Sequence, residues 1–295
     1  HLRIKAEEYA NVLKIGRTHL QDATPVRLGQ VFSGYARQVE LAQQRLQTAV
    51  AGLAELALGG TAVGTGINTH PQFAGLAIAG IAEETGLEFR EAEDHFEAQS
   101  AKDGLVALSG ALKGCAISLF KIANDIRFLA SGPRCGIGEL KLPALQPGSS
   151  IMPGKVNPVL AESMMQVCAQ VNGNDATVAL CALSGNFELN VMMPVMAENL
   201  LQSIDLLGNV TDLFTERYLK RLEADRDRCD DLLDQSLALV TALVPVIGYD
   251  KSAELAKRAY AEGKTIRELL MAEKLLPEDE VERLLDPARM TEPTE

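Results

Sequence analysis

The sequence has no tryptophan and only 4% aromatic residues, so its interior must be built from aliphatic side chains. Its five cysteines (Cys115, Cys135, Cys168, Cys181 and Cys229) are odd in number, widely spaced and never arranged as Cys-x-x-Cys. That spacing argues against a disulfide framework or a structural zinc site and fits reduced core thiols in a cytoplasmic protein. Four scattered histidines add no metal-ligand spacing, so no metal is expected. No apolar run approaches the roughly 18 residues of a membrane span, and the opening HLRIKAEE reads as a helical surface segment, not a signal peptide. Basic residues are in deficit, with 28 Lys and Arg against 40 Asp and Glu, a net charge of −12. With no basic stripe, the composition argues against a nucleic-acid binder, and any anionic ligand would need a local cluster of donors. No Gly-x-Gly-x-x-Gly follows a strand, and strands do not alternate with helices, which argues against a dinucleotide-binding domain.

What is present is a folded chain of 295 residues, 47% hydrophobic and 23% charged, large enough for one big domain or two ordinary ones. Apolar positions step by three and four along Tyr35, Val39, Ala42, Leu46, Ala49, Leu53 and Leu56. They do so again from Leu105 through Leu108, Leu112, Cys115, Leu119, Ile122 and Ile126 to Leu129, and from Leu200 through Ile204, Leu207, Thr211 and Phe214 to Tyr218. Such spacing predicts long helices with one apolar seam each, suited to bundle packing. Between the second and third lies Pro158 to Leu183, apolar on nearly every side, which predicts a helix buried by other subunits as well as its own chain. Composition shifts near Leu222 to shorter, charge-rich segments. There Thr265 and Glu268 form a capping-box pattern, and Pro277 precedes the acidic Glu278, Asp279 and Glu280. The expected fold is all-α: a long-helix bundle over 1–226 and a small helical C-terminal domain over 227–295.

Two loops carry residues suited to chemistry. In Gly16-Arg17-Thr18-His19-Leu20-Gln21-Asp22-Ala23-Thr24-Pro25, Thr24 and Pro25 read as the N-cap and first position of the helix that follows. Arg17, Thr18 and His19 would then lie near a helix N-terminus, where backbone N–H groups favour an anion. The plainer reading is a surface loop with a solvated His and Arg. The second loop, Gln146 to Pro158, brackets Ser149 and Ser150 with Pro–Gly punctuation and adds Lys155 and Asn157, with Asn157–Pro158 repeating the cap-then-Pro pattern. A flexible glycine–serine connector is the alternative, and Ile151, Met152 and Val156 count against it.

The run GSSIMPGKVNP resembles the signature of the fumarase/aspartase superfamily. GRTHLQDATP, GGTAVGTGINTH (59–70), KIANDIRFLASGPR (121–134) and NFELNV (186–191) look like class II fumarase, in the same order. The resemblance extends from His1 to the DPARM segment near Met290. It implies an all-α homotetramer with a twenty-helix central bundle, sites formed where three subunits meet, and reversible hydration of fumarate to L-malate with no cofactor. It further implies that Ser149 takes the C3 proton of malate, that His19 handles the water or leaving hydroxyl, and that Glu162 is the acidic partner of that histidine. Thr18, Ser150, Lys155 and Asn157 would grip the substrate carboxylates. Fumarases also carry an N-terminal domain with a Ser-Ser-x-Asn loop, for which this chain shows no counterpart. Aspartate ammonia-lyase and a non-catalytic structural protein of the same fold are the alternatives. Leu58-Gly59-Gly60-Thr61, Asn68-Thr69-His70 and Asn186-Phe187-Glu188 all look like fumarase. His70 and His95 are expected in turns or on the surface, and Lys14, Lys121 and Arg127 in solvent-facing or structural positions.

Overall fold

A computed structural model describes residues 1–146, 148 and 151–293. The chain is mainly helical, with four long helices at Leu28–Ala51, Asp103–Leu129, Val159–Ala182 and Met193–Arg217. Two compact units form, one from residues 1–36, 126–157 and 217–295, the other from 37–125 and 158–216.

In the second unit, Val159–Ala182 buries Ala161, Met164, Cys168, Val171, Asn174, Val178 and Cys181, a single stripe at helical spacing. In the single chain the other side of this helix is open: Gln166 and Gln170 face outward, and Leu180 and Leu183 are 66% and 81% exposed. Met193–Arg217 offers a matching stripe of Met196, Leu200, Ser203, Leu207, Val210 and Phe214. Where the stripes carry polar groups, they satisfy each other. Asn174 Nδ2 donates to Ser203 Oγ (3.0 Å) and Gln202 Oε1 (2.9 Å), so sliding one helix past the other would strand a buried amide. Asp175 likewise accepts from Ser109 Oγ (2.8 Å) and Lys113 Nζ on Asp103–Leu129.

That last helix corrects one expectation. Its letters are interrupted by Gly, Ser and Lys, yet an 18-residue window has a mean hydropathy of 1.6, long and apolar enough by composition to cross a membrane. One third of that window is buried inside the chain, and its Ser109 and Lys113 are engaged by Asp175. The first long helix is shorter than the periodicity predicts. It stops at Ala51, and Glu55–Leu56 instead pairs in parallel with Arg90–Glu91.

The first unit opens with the expected short helix, Leu2–Glu8, and then forms a β-hairpin where a helix start at Thr24 was expected. Leu13–Thr18 pairs antiparallel with Gln21–Arg27, so Thr24 and Pro25 lie in a strand and the helix begins only at Leu28. Pro25 is tolerated because a two-stranded ladder leaves an edge that needs no N–H. The helix's own first donors are already used: Leu28 N–H bonds Val12 O (2.8 Å) and Gly29 N–H bonds Tyr9 O (3.0 Å). Two of this terminus's first-turn donors are therefore spent within the chain.

The C-terminal segment has its own aliphatic core of Leu239, Leu243, Leu255, Ala259, Ile266, Leu269, Leu270, Val281 and Leu285. Its helices start as read from sequence. Thr265 Oγ1 accepts from Glu268 N–H (3.1 Å) while Glu268 Oε2 accepts from Thr265 N–H (2.8 Å), and Glu278–Leu284 opens on three acids. Leu270→Ala is expected to destabilise this segment by about 2–5 kcal/mol, and Thr265→Ala by about 1 kcal/mol. Denaturant unfolding followed by circular dichroism checks both, and equal effects would contradict a core-dominated segment.

Candidate active site

The hairpin carries Thr18 and His19 at its tip. His19 and Leu20 form a two-residue turn between Thr18 and Gln21, and both have positive φ, 56° and 62°. Turns of this hand suit the strand twist but favour Asn-Gly, and each L residue here costs roughly 1–2 kcal/mol. Thr18, His19 and Leu20 are all exposed.

Below the tip the strand is anchored by charge. The pairing shifts register between Ile15 and Arg17, a bulge that re-aims the chain. Gly16 sits in it, where a Cβ would lie 2.5 Å from the Thr24 carbonyl oxygen. Arg17 Nη1 donates to both carboxylate oxygens of Glu139 at 3.0 Å, and Lys14 Nζ lies 3.2 Å from Oε2 of the same group. Glu139 is fully buried, and its carbonyl accepts the Asp225 N–H (2.9 Å). Burial holds the Lys14 ammonium below its ordinary pKa, against the opposing pull of Glu139. Burial also pushes the neighbouring Cys229 thiol up to about 12, with the Glu139 charge adding to the effect. Arg17 is thus committed to Glu139 and is not a free donor for an anion, which corrects the reading of the first loop. Glu139 itself was missed by sequence reasoning. Its one signal is a lone acid in the apolar run Gly136-Ile137-Gly138-Glu139-Leu140.

In the second loop, Gly148 lies against Lys155. A Cβ at Gly148 would meet the Lys155 carbonyl oxygen at 2.2 Å, so this close approach requires glycine. Lys155 Nζ donates to Asn157 Oδ1 at 2.7 Å. Asn157 is not the helix cap expected of it; Pro158 occupies that position without a side-chain bond, and the helix starts at Val159. Ser149 and Ser150 lie outside the described residues. Lys155 also lines a cavity of about 250 Å³ together with Gly132, Pro133, Lys141 and Asp225. At that cavity Lys141 Nζ reaches Asp225 Oδ2 at 3.0 Å, and this bond holds the Asp225 carboxyl below its ordinary range.

Glu162 occupies the first turn of Val159–Ala182 and belongs to the second unit, whereas Thr18, His19, Lys155 and Asn157 belong to the first. The structure directly joins Lys155 with Asn157 and places Thr18 beside His19. Of the other histidines given an expectation, His70 lies in a turn as expected, its Nδ1 accepting the Gln72 N–H (3.1 Å). His95, by contrast, starts a short helix 3.5 Å from Glu91, with its side chain only 18% exposed and its Nε2 buried. Lys14 is structural and buried, and Lys121 pairs with Asp125.

Comparison with known families bears on this arrangement. The family described as Lyase matches residues 1–173, and the one described as Fumarase C C-terminus matches 239–292. The chain belongs to the class II fumarase family. It is 55% identical over 289 residues to the class II fumarate hydratase of Neisseria meningitidis, covering 98% of this chain and 63% of that protein. The structure of fumarate lyase:delta crystallin from Brucella melitensis matches with a TM-score of 0.95 at 46% identity, over 99% of this chain and 63% of that one. The class II fumarase of Schistosoma mansoni matches with a TM-score of 0.94 at 40% identity, over 98% and 64%. The chain therefore spans a little under two thirds of the length of these family members.

If the family's signature loop is closed by the Gly148–Lys155 approach, Gly148→Ala must open it. Limited trypsin digestion is expected to cut after Lys155 several-fold faster in that variant. An unchanged rate would show that the loop does not depend on this contact.

Proposed function

We propose that this protein catalyses the reversible hydration of fumarate to L-malate, with no cofactor. In the malate-to-fumarate direction a base removes a weakly acidic proton next to a carboxylate, and a dianionic aci-carboxylate forms. Stabilising that charge is the main task, and prepositioned donors are the effective means. The observation that carries the reading is the close approach of Gly148 to the Lys155 carbonyl, with the exposed Lys155 ammonium donating to Asn157 Oδ1. In this reading Lys155, Asn157, Thr18 and Ser150 bind the carboxylates. Ser149 takes the C3 proton, made acidic enough by neighbouring N–H donors and the Lys155 charge. His19, whose ordinary pKa lies near neutrality, handles the hydroxyl or water, with Glu162 as its acidic partner.

The working form in this proposal is a homotetramer whose sites draw loops from three chains, with His19 and Ser149 of one site coming from different subunits. Support comes from apolar side chains left open on the long helices, including Ile117, Leu180, Leu183 and Leu201 at 54%, 66%, 81% and 60% exposure. Covering them contributes about 25 cal/mol per Å². The proposal also treats 227–295 as the small C-terminal domain, supported by its separate aliphatic core, and places the protein in the cytoplasm, where its thiols stay reduced.

The test uses the complete protein. Malate is expected to yield fumarate, read by rising ultraviolet absorbance, without added metal or ammonia. Ser149→Ala should remove most of kcat while leaving binding of a substrate analogue largely intact. Ammonia release from aspartate with no turnover of malate would overturn the reading in favour of an ammonia-lyase. Absence of any turnover would favour a structural protein of this fold.

A further inference from the structure

We propose that Arg17, held by Glu139, is a positioning residue that fixes the His19 turn in its working orientation; this rests on His19 being the group that handles the hydroxyl. The turn stores strain, because two consecutive non-glycine residues have positive φ. Strained backbone of this kind persists only where surrounding structure over-determines it. The tip's own side chains do not do so: Thr18, His19, Leu20, Gln21 and Asp22 are all exposed. Arg17 is the last side chain on this strand that is mostly buried before the turn, at 16% side-chain exposure, and it stands opposite Asp22 in the ladder. It makes two hydrogen bonds to one carboxylate that is itself immobilised, by full burial, by Lys14 and by the Asp225 N–H on its own carbonyl. Both bonds leave one nitrogen, Nη1, which sits between the two oxygens of the buried carboxylate and fixes where the strand lies just below His19.

The placement of Arg17 is not incidental. The bulge at Gly16 shifts the register immediately before Arg17, and the glycine is required there by the close Thr24 carbonyl. Lys14 already supplies the carboxylate with a compensating charge. Arg17 therefore adds geometry more than it adds charge neutralisation. A lysine at 17 would keep the charge but, being one bond shorter, would not place its nitrogen where Nη1 lies between the two Glu139 oxygens.

Arg17→Lys in the complete protein tests this, with Lys14→Met as the control that removes the other cation on the same carboxylate. Hydrogen exchange of the Thr18–Gln21 amides is expected to accelerate in Arg17→Lys and not in Lys14→Met. In turnover, Arg17→Lys should lower kcat by about 10- to 100-fold, the scale of a small misplacement, with KM little changed. Combined with His19→Asn it should cause no further loss, because a residue acting through His19 has nothing left to position. Full additivity with His19→Asn, unchanged exchange at the tip, or equal acceleration in both single variants would overturn the proposal. An unchanged kcat in His19→Asn alone would instead refute the reading of His19, and the anchoring claim is then decided by the exchange at the tip.

Discussion

One buried carboxylate organises the unit that carries both candidate loops. Glu139 is fully buried with two cations against it, and an uncompensated charge in such a place would cost several kcal/mol. Pairing offsets that cost and also fixes geometry. From Glu139 the connections run outward: through Arg17 to the hairpin tip, and through its carbonyl to Asp225 at the start of Arg226–Asp234. Arg228 on that helix returns two bonds to the carbonyls of Ile137 (2.9 Å) and Gly136 (3.0 Å). Immediately after Glu139, Leu140–Lys141 pairs with Glu223–Ala224, and the chain then leads to the signature loop. The hairpin loop and the signature loop are thus both tethered to one ion cluster by short stretches of chain.

The same cluster resolves an apparent conflict of charge. The chain carries a net −12, yet the proposed ligand is a dianion. The first loop's arginine does not address it, being spent on Glu139. Among the described residues of the two loops, the exposed donors include Lys155 and the hydroxyl and imidazole of the hairpin tip, with Asn157 half-buried beside Lys155. In the two loops the structural cation, Arg17, is largely buried and paired, and the proposed binding cation, Lys155, is left at the surface. Burial makes the distinction where residue type does not.

The same distinction decides how much could be read from sequence. The long helices were legible because a spacing of three and four is a local property, visible in Leu200 to Tyr218 without any knowledge of partners. The caps at Thr265 and Asp286 are local too, and the first of them was read correctly. The hairpin was misread because Thr24-Pro25 mimics a helix start, while the turn that competes with it uses His19 and Leu20 where Asn-Gly would have announced it. Strand pairing depends on residues outside the window being read. Glu139 was illegible for the same reason: an acid among glycines reads as a solvated turn until Lys14 and Arg17 are brought against it from more than a hundred residues away. The signature loop is recognisable as a motif, but the close approach of Gly148 to the Lys155 carbonyl is visible only in three dimensions.

The Glu139 ion cluster anchors the hairpin to the segment that leads to the signature loop. Urea unfolding of Glu139→Ala measures this anchoring most directly. The account predicts a loss of about 3–5 kcal/mol, because the substitution leaves Lys14 and Arg17 buried without a counter-charge. A loss below about 1 kcal/mol, the value of an exposed pair, would contradict it.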